Sequence, residues 1–304
     1  LLSGHNVRST VFMQARSNYF GGPPAAMRPV GETAFAARIA KEARHVPDFD
    51  VNVCAAIVGY ADMTLGDRVQ PVLEAHCEAG EGRFRGVRHI LAWDEDHALL
   101  NPAYPTTARL IETDAFRAGF ARLAALGLNF DAWMFFHQLP GLARLARDFP
   151  ETQIIVNHCG GMVGLRGYHG RRDDVFRVWA HAITDLAACP NVWMKIGGFG
   201  MELMGFRQEL GGYPASSENL ARMWRPWVET CIAAFGPSRC MFESNFPVDS
   251  AVHSYSAAWN AKKRLAAGLS ARERDDLFWR SASRVYRIAP LADAQRPSTT
   301  EAGD

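Results

Sequence analysis

The sequence predicts an α/β fold in which parallel strands alternate with helices, a (β/α)8 TIM barrel lacking its first strand. Three observations carry this expectation. Strand-like and helix-like runs alternate from end to end with short connections, the pattern of βα units whose parallel strands lie under a cover of helices. No G-x-G-x-x-G follows the first strand and no phosphate-binding P-loop occurs, which disfavours an open nucleotide-binding sheet and favours a barrel. Seven strands are counted, and the chain opens on Leu1-Leu2-Ser3-Gly4-His5, with no initiator Met and close to a strand, so the eighth strand is expected to be lost at the N-terminus.

Taken in order, Val7 to Met13 is β-branched and strand-like, and Gly21-Gly22-Pro23-Pro24 marks the loop after it. Thr33 to His45 has helical composition. Val51 to Val58 is a continuous apolar strand, and Asp67 to Ala79 carries Val69, Val72, Leu73 and His76 on one stripe. Phe84 to Leu91 is a third strand. Thr113 is the expected N-cap of a helix whose inner face holds Phe116, Phe120, Leu123 and Leu126, with Gly127 as its stop. Leu128 to Phe136 and Gln153 to His158 read as the fourth and fifth strands, with a helix over Leu139 to Phe149 between them. Asp173 to Ala188 is helical, Asn191 to Ile196 is the sixth strand, and Glu218 to Phe235 is a tryptophan-rich helix. Cys240 to Ser244 is the seventh strand. Helices over Ser254 to Ala267 and Ala271 to Tyr286 end a barrel domain of residues 1–291, and residues 292–304 form a polar tail expected to be disordered.

Composition narrows the function class. The chain has 304 residues, and Lys plus Arg number 33 against 32 for Asp plus Glu, a net charge of +1 that argues against a nucleic-acid or acidic-membrane partner. No apolar run approaches the ~20 residues of a membrane span, and no signal peptide is visible. Six cysteines without a C-x-x-C pair read as small buried residues in a reducing cytoplasm. The expected partner is a small molecule, with a homo-oligomer possible through the tryptophan-rich helix.

In a parallel barrel, reactive side chains gather where strands end. Those ends carry Arg88 and His89, His137 with Gln138, His158, Lys195, and Glu243-Ser244-Asn245 leading to Asp249. His158 stands out because it closes an apolar strand and is followed by Cys159-Gly160-Gly161, a turn that can present an imidazole. Each residue taken singly has a bland alternative as a turn cap or surface ion pair. His45, His76, His97, His181 and His253 fall on helices or loops and read as structural or solvated. Arg166, with His169, Arg171 and Arg172, makes a basic loop that reads either as a site for a carboxylate or as an exposed basic loop without function.

These strand ends resemble the amidohydrolase-related family of TIM-barrel hydrolases, which includes sugar lactonases, pyrone dicarboxylate lactonases and some decarboxylases. The carriers are Gly86-Val87-Arg88-His89, Phe136-His137-Gln138-Leu139-Pro140, Ile155-Val156-Asn157-His158-Cys159-Gly160-Gly161, Pro190 to Gly198, Arg239 to Pro247 and Ala282 to Ile288. Their order and spacing cover about His5 to Ile288. The sequence departs from the family at two points. The family's first-strand His-x-His pair, which holds a divalent ion in metal-dependent members, is absent, and His5 stands alone. Asn245 stands where the family usually has an Asp that acts as metal ligand or proton acceptor, and an amide cannot accept that proton at neutral pH.

The resemblance implies a hydrolase that opens a lactone or related carboxylic ester by attack of water on the carbonyl. In that reading His158 orients or polarises, Glu243 or Asp249 takes the proton, and Asn245 holds the water or carbonyl oxygen. Side chains alternate along a strand, so Met241, Glu243 and Asn245 share one face, with Glu243 one layer deeper, either as a carboxylate with an altered catalytic role or as a buried structural partner of Lys195 or an Arg. Arg88, His89, His137, Lys195 and Arg166 bind a carboxylate-bearing substrate. No metal, or only a weak one, is expected here; a weakly bound divalent ion such as zinc or manganese is expected at His158 if the missing His-x-His pair is present in the complete protein. The alternatives are a non-oxidative decarboxylase on the same fold and a degenerate barrel that binds a small molecule without turnover. A Cys159 nucleophile is disfavoured because neighbouring strand residues face opposite ways.

Overall fold

The structure, a computed structural model, describes residues 4–47 and 49–289. The tail expected from Ala292 lies outside the described residues. Among the described residues, seven parallel strands form one sheet in chain order: β1 (Ser9–Met13), β2 (Asn52–Gly59), β3 (Phe84–Ile90), β4 (Asn129–Trp133), β5 (Ile154–Val156), β6 (Val192–Ile196) and β7 (Cys240–Phe242). Every neighbouring pair is parallel. The sheet curls inside its helices as an α/β half-barrel, so the predicted fold class holds.

The helices are α1 (Val30–Ala43), α2 (Gln70–Ala79), α3 (Asp114–Ala125), α4 (Leu139–Asp148), α5 (Arg172–Ala187), the short α6 (Phe206–Leu210), α7 (Ser217–Phe235), α8 (Tyr255–Leu265), α9 (Ala271–Asp275) and α10 (Ser281–Val285). A π-helical turn over Asp276–Arg280 joins the last two. Thr113 caps α3 as expected, its hydroxyl accepting from Phe116 N–H, and Gly127 follows with a left-handed φ of 61°. Ser254 caps α8 in the same way. Asp67 to Ala79 is not one helix. A 3₁₀ segment over Met63–Val69 comes first, broken by non-helical Gly66, and the α-helix begins at Gln70 with Pro71 in its first turn, where proline's missing N–H costs nothing.

Two apolar cores result among the described residues. The larger lies between sheet and helices and buries outward-facing strand residues such as Ile57, Val87, Phe130, Val156 and Met194. Trp224 and Trp227 of α7 belong to it, so the tryptophan-rich face packs within the chain. The smaller core fills the inside of the sheet with Ala56, Val58, Ile155, Met241, Val285 and Tyr286. The residues around Tyr286 therefore plug the inside of the sheet. Arg85 Nε donates to the Tyr286 carbonyl at 2.8 Å, and Asn129 Nδ2 donates to that of Val285 at 2.7 Å. Among the described residues no helix is long and apolar enough to cross a membrane.

Candidate active site

Register fixes which side chains meet inside the sheet. Arg88 pairs with Asp131, and Asp131 with Ile155, so these share the inner face, as do Lys195 and Met241 one strand pair further on. Glu243, two residues past Met241, reaches the same interior. The fifth strand stops at Val156, two residues short of the expected end. His158 and Cys159 then both take left-handed φ values of 52°, an uncommon conformation for residues with a Cβ. That turn sends the imidazole inward and the thiol outward. Cys159 is fully buried beside Cys231 and Cys240, away from the barrel interior.

His158 Nδ1 lies 2.5 Å from Glu243 Oε1, which also accepts the His158 backbone N–H at 3.2 Å. Lys195 Nζ sits between two carboxylates, 3.1 Å from Asp131 Oδ1 and 3.5 Å from Glu243 Oε2. Asp131 Oδ1 further accepts from Asn157 Nδ2 at 2.9 Å and from the Tyr286 hydroxyl at 2.8 Å. Glycines make the close packing possible. A Cβ on Gly197 would fall 2.4 Å from Glu243 Cγ, and one on Gly198 would fall 2.6 Å from His158 Cβ.

The electrostatics follow from this packing. Burial pushes the Glu243 carboxyl upward, but the charges of His158 and Lys195 and the hydrogen bond from His158 outweigh it and hold the group well below the usual carboxylate range. Burial pushes His158 down, against the pull of Glu243. Neutral His158 therefore donates Nδ1–H to an ionised Glu243. Its Nε2 makes no hydrogen bond among the described residues and is not sealed from the surface. Trp133 packs edge-on against the ring, centroids 4.8 Å apart.

The other expected residues separate. Arg88 reaches the mouth and bonds Gln14, with Nε 3.1 Å from its Oε1 and Nη2 on its carbonyl. His89 faces the helix layer, tilted against Phe116 and edge-on to Tyr60, and burial pushes it down to about 4. His137 stands on the rim, where Nε2 donates to the Trp93 carbonyl at 3.0 Å. Arg166 is exposed and paired with Asp96 at 2.9 Å. A cavity of about 280 Å³ beside His137 is lined by Trp93, Arg109, Glu112 and Arg144, but by none of His158, Lys195 and Glu243. Asn245, which sits past the end of β7 rather than on its inner face, bonds Asp249 with Nδ2 2.6 Å from Oδ1. Asp249 is buried, which pushes it up to about 7.

Sequence reasoning missed Asp131, Tyr286 and Lys262. Asp131 lies in a fully buried strand, N-F-D-A-W, where a lone acid must find a partner. Lys262 is buried on α8, donates to the Glu243 carbonyl at 2.7 Å and lies over the Trp259 ring. Burial pushes it down to about 8.

The residues present do not fit a divalent ion. Among the described residues, no three His, Cys, Asp or Glu side chains come together to hold one, and the Lys195 ammonium already lies between the two carboxylates that could.

The amidohydrolase family pattern matches residues 3–288. The chain belongs to the amidohydrolase family. As an amidohydrolase it is similar to the uncharacterized protein y4mH of Sinorhizobium fredii, 39% identical over 76% of this chain and 69% of that one. It is also similar to an L-fucono-1,5-lactonase of Burkholderia multivorans, 29% identical over 87% of this chain and 79% of that protein. A crystal structure of an amidohydrolase from Burkholderia multivorans with bound zinc shares the fold, with a TM-score of 0.67 and 23% identity over 93% of this chain and all of the other.

Proposed function

We propose that this amidohydrolase opens a lactone or related carboxylic ester by direct attack of water, with His158 as the base. The observation that carries this reading is the His158–Glu243 hydrogen bond at the barrel mouth, with Lys195 alongside. Glu243 fixes the tautomer that leaves Nε2 free and steadies the imidazolium formed when the ring takes a proton. Water loses that proton to Nε2 and attacks the carbonyl carbon. The developing oxyanion is met by the Lys195 ammonium, held in place by Asp131 and shielded from bulk water. Collapse breaks the bond from the acyl carbon to the ring oxygen, and the leaving oxygen takes the proton back from His158. The product is the open hydroxy acid, and no external reagent is consumed. Asn245 and Asp249, bonded to each other, support the loop over β7 in this scheme rather than moving the proton.

The similarity to an L-fucono-1,5-lactonase supports the choice of a lactone. The test is hydrolysis of a panel of sugar and short-chain lactones by the wild type and by His158→Ala. Loss of the base should lower kcat by about 10²–10⁴-fold. Unchanged turnover in His158→Ala would refute the assignment.

A further inference from the structure

A second polar cluster stands at the same mouth, beyond the C-terminal ends of β1, β2 and β3, and the hydrolytic steps above do not use it. Its centre is Gln14, fully buried where β1 ends. The Gln14 amide donates to the Tyr104 hydroxyl at 3.3 Å, and its two oxygens hold the Arg88 guanidinium. Arg16 follows in the loop, its guanidinium carbon 5.1 Å from the centroid of the Tyr104 ring. Tyr60, at the end of β2, lies within electrostatic reach of Arg16. Burial raises its phenol to about 12, so the hydroxyl stays a neutral donor.

The loop is built to hold Arg16 in place. Glu32 of α1 is fully buried, and its Oε1 accepts the backbone N–H groups of Ala15 and Ser17 at 2.9 Å each, with the Ser17 hydroxyl at 3.1 Å. The residues on both sides of Arg16 are thereby pinned, and Arg16 itself is kept at a left-handed φ of 57°. Strain of that kind persists only where the surroundings over-determine it. Neither Arg16 nor Arg88 has a carboxylate within ion-pair distance among the described residues, and Arg16 is exposed. Glu32 offsets part of the Arg88 charge and leaves Arg16 as the cation facing solvent. Tyr104 covers one face of the Arg16 guanidinium, and among the described residues its N–H edge, the edge that binds carboxylates in a fork, has no hydrogen-bond partner.

We infer that Arg16, with Arg88 and Tyr104, forms a subsite for a carboxylate on the substrate, so that the ester opened at His158 belongs to an acidic lactone. This rests on the lactonase reading. A loop already held in its binding conformation loses little freedom when the anion arrives, which favours affinity. Glu32 is a positioning residue here.

The test uses the purified full chain with 5-oxotetrahydrofuran-2-carboxylate and its neutral carboxamide, in wild type and Arg16→Ala. The wild type should prefer the acid. In Arg16→Ala the ratio of kcat/KM for acid over carboxamide should fall by about 10- to 100-fold, the loss expected for one charge-assisted hydrogen bond, with the change in KM. Calorimetric titration with glutarate gives a readout free of turnover, and binding should weaken by a similar factor in the variant. Equal use of acid and carboxamide, with glutarate binding indifferent to Arg16 or absent, overturns the subsite and leaves the lactonase reading standing if both lactones are opened. Arg16-dependent glutarate binding without hydrolysis of either compound keeps the subsite and removes the lactonase reading.

Discussion

A neutral His158 depends on Glu243 for more than orientation, because the carboxylate also raises its basicity against the opposing effect of burial. The acid limb of the pH–rate profile should therefore lie below the ordinary imidazole value of about 6.5. Glu243→Gln removes the raising partner and keeps the shape, so that limb should move lower still while kcat falls by about 10- to 1,000-fold. A limb that stays in place in Glu243→Gln would mean that the titration belongs to another group. At this scale the sequence was legible where chemistry and position coincided: His158, Lys195 and Glu243 were each found from a strand end and meet within hydrogen-bond reach. Asp131 and Tyr286 were not found, because a single acid in an apolar strand and an aromatic near the end of a helix carry no periodic signal. Lys262 was hidden in the run Lys262-Lys263-Arg264, which reads as a solvated face. Only Lys262 shares the buried side of α8 with Ala258, Ala261 and Leu265.

Among elements, the packing of α3 gives a sign that propensity alone would get wrong. Gly119 sits mid-helix, where replacement by Ala ordinarily stabilises by about 1 kcal/mol. Here a Cβ would fall 2.2 Å from the Met63 carbonyl oxygen, a backbone atom of the 3₁₀ segment crossing the helix. Gly119→Ala should thus destabilise, by about 1–3 kcal/mol, read as a lower denaturation midpoint. A stabilised variant would show that the two elements part easily. The strands were legible from their apolar runs, and α3 from its cap and stop. The end of β5 was read two residues too long because nothing in Asn157-His158 announces a left-handed turn. That turn follows from the packing of Gly198 and Glu243 against the ring, which is a contact across the sheet.

For the molecule as a whole, buried titratable groups tilt stability against pH in opposing directions. Asp249 titrates near 3.8 when unfolded and at about 7 when folded. The folded state therefore holds the proton over that window, and stability falls as pH rises from about 4 to 7. His76, His89 and His253, all pushed down to about 4 by burial, act the other way over about 4 to 6.5. The informative measurement is thus a difference. Asp249→Asn should gain on the wild type across pH 4 to 7, by at most about 4 kcal/mol, in chemical denaturation at each pH. Parallel curves for the two proteins would remove Asp249 from the balance. The fold was legible at this scale because alternation and strand count are global properties that survive misplaced boundaries. The arrangement of the two cores was not, since which face of a buried strand turns inward depends on register.

The plug around Tyr286 has a consequence for how the protein is made. Asp131 and the hydroxyl that bonds it are 155 residues apart in the chain. At roughly 5–20 residues per second, a ribosome adds that tyrosine on the order of ten seconds after the aspartate. Through that interval Asp131, and Lys195 once it has followed, lack the segment that fills the inside of the sheet around Tyr286. The polar cluster inside the sheet is therefore completed only once Tyr286 has been added, and a growing copy carries Asp131 without its hydroxyl partner until then.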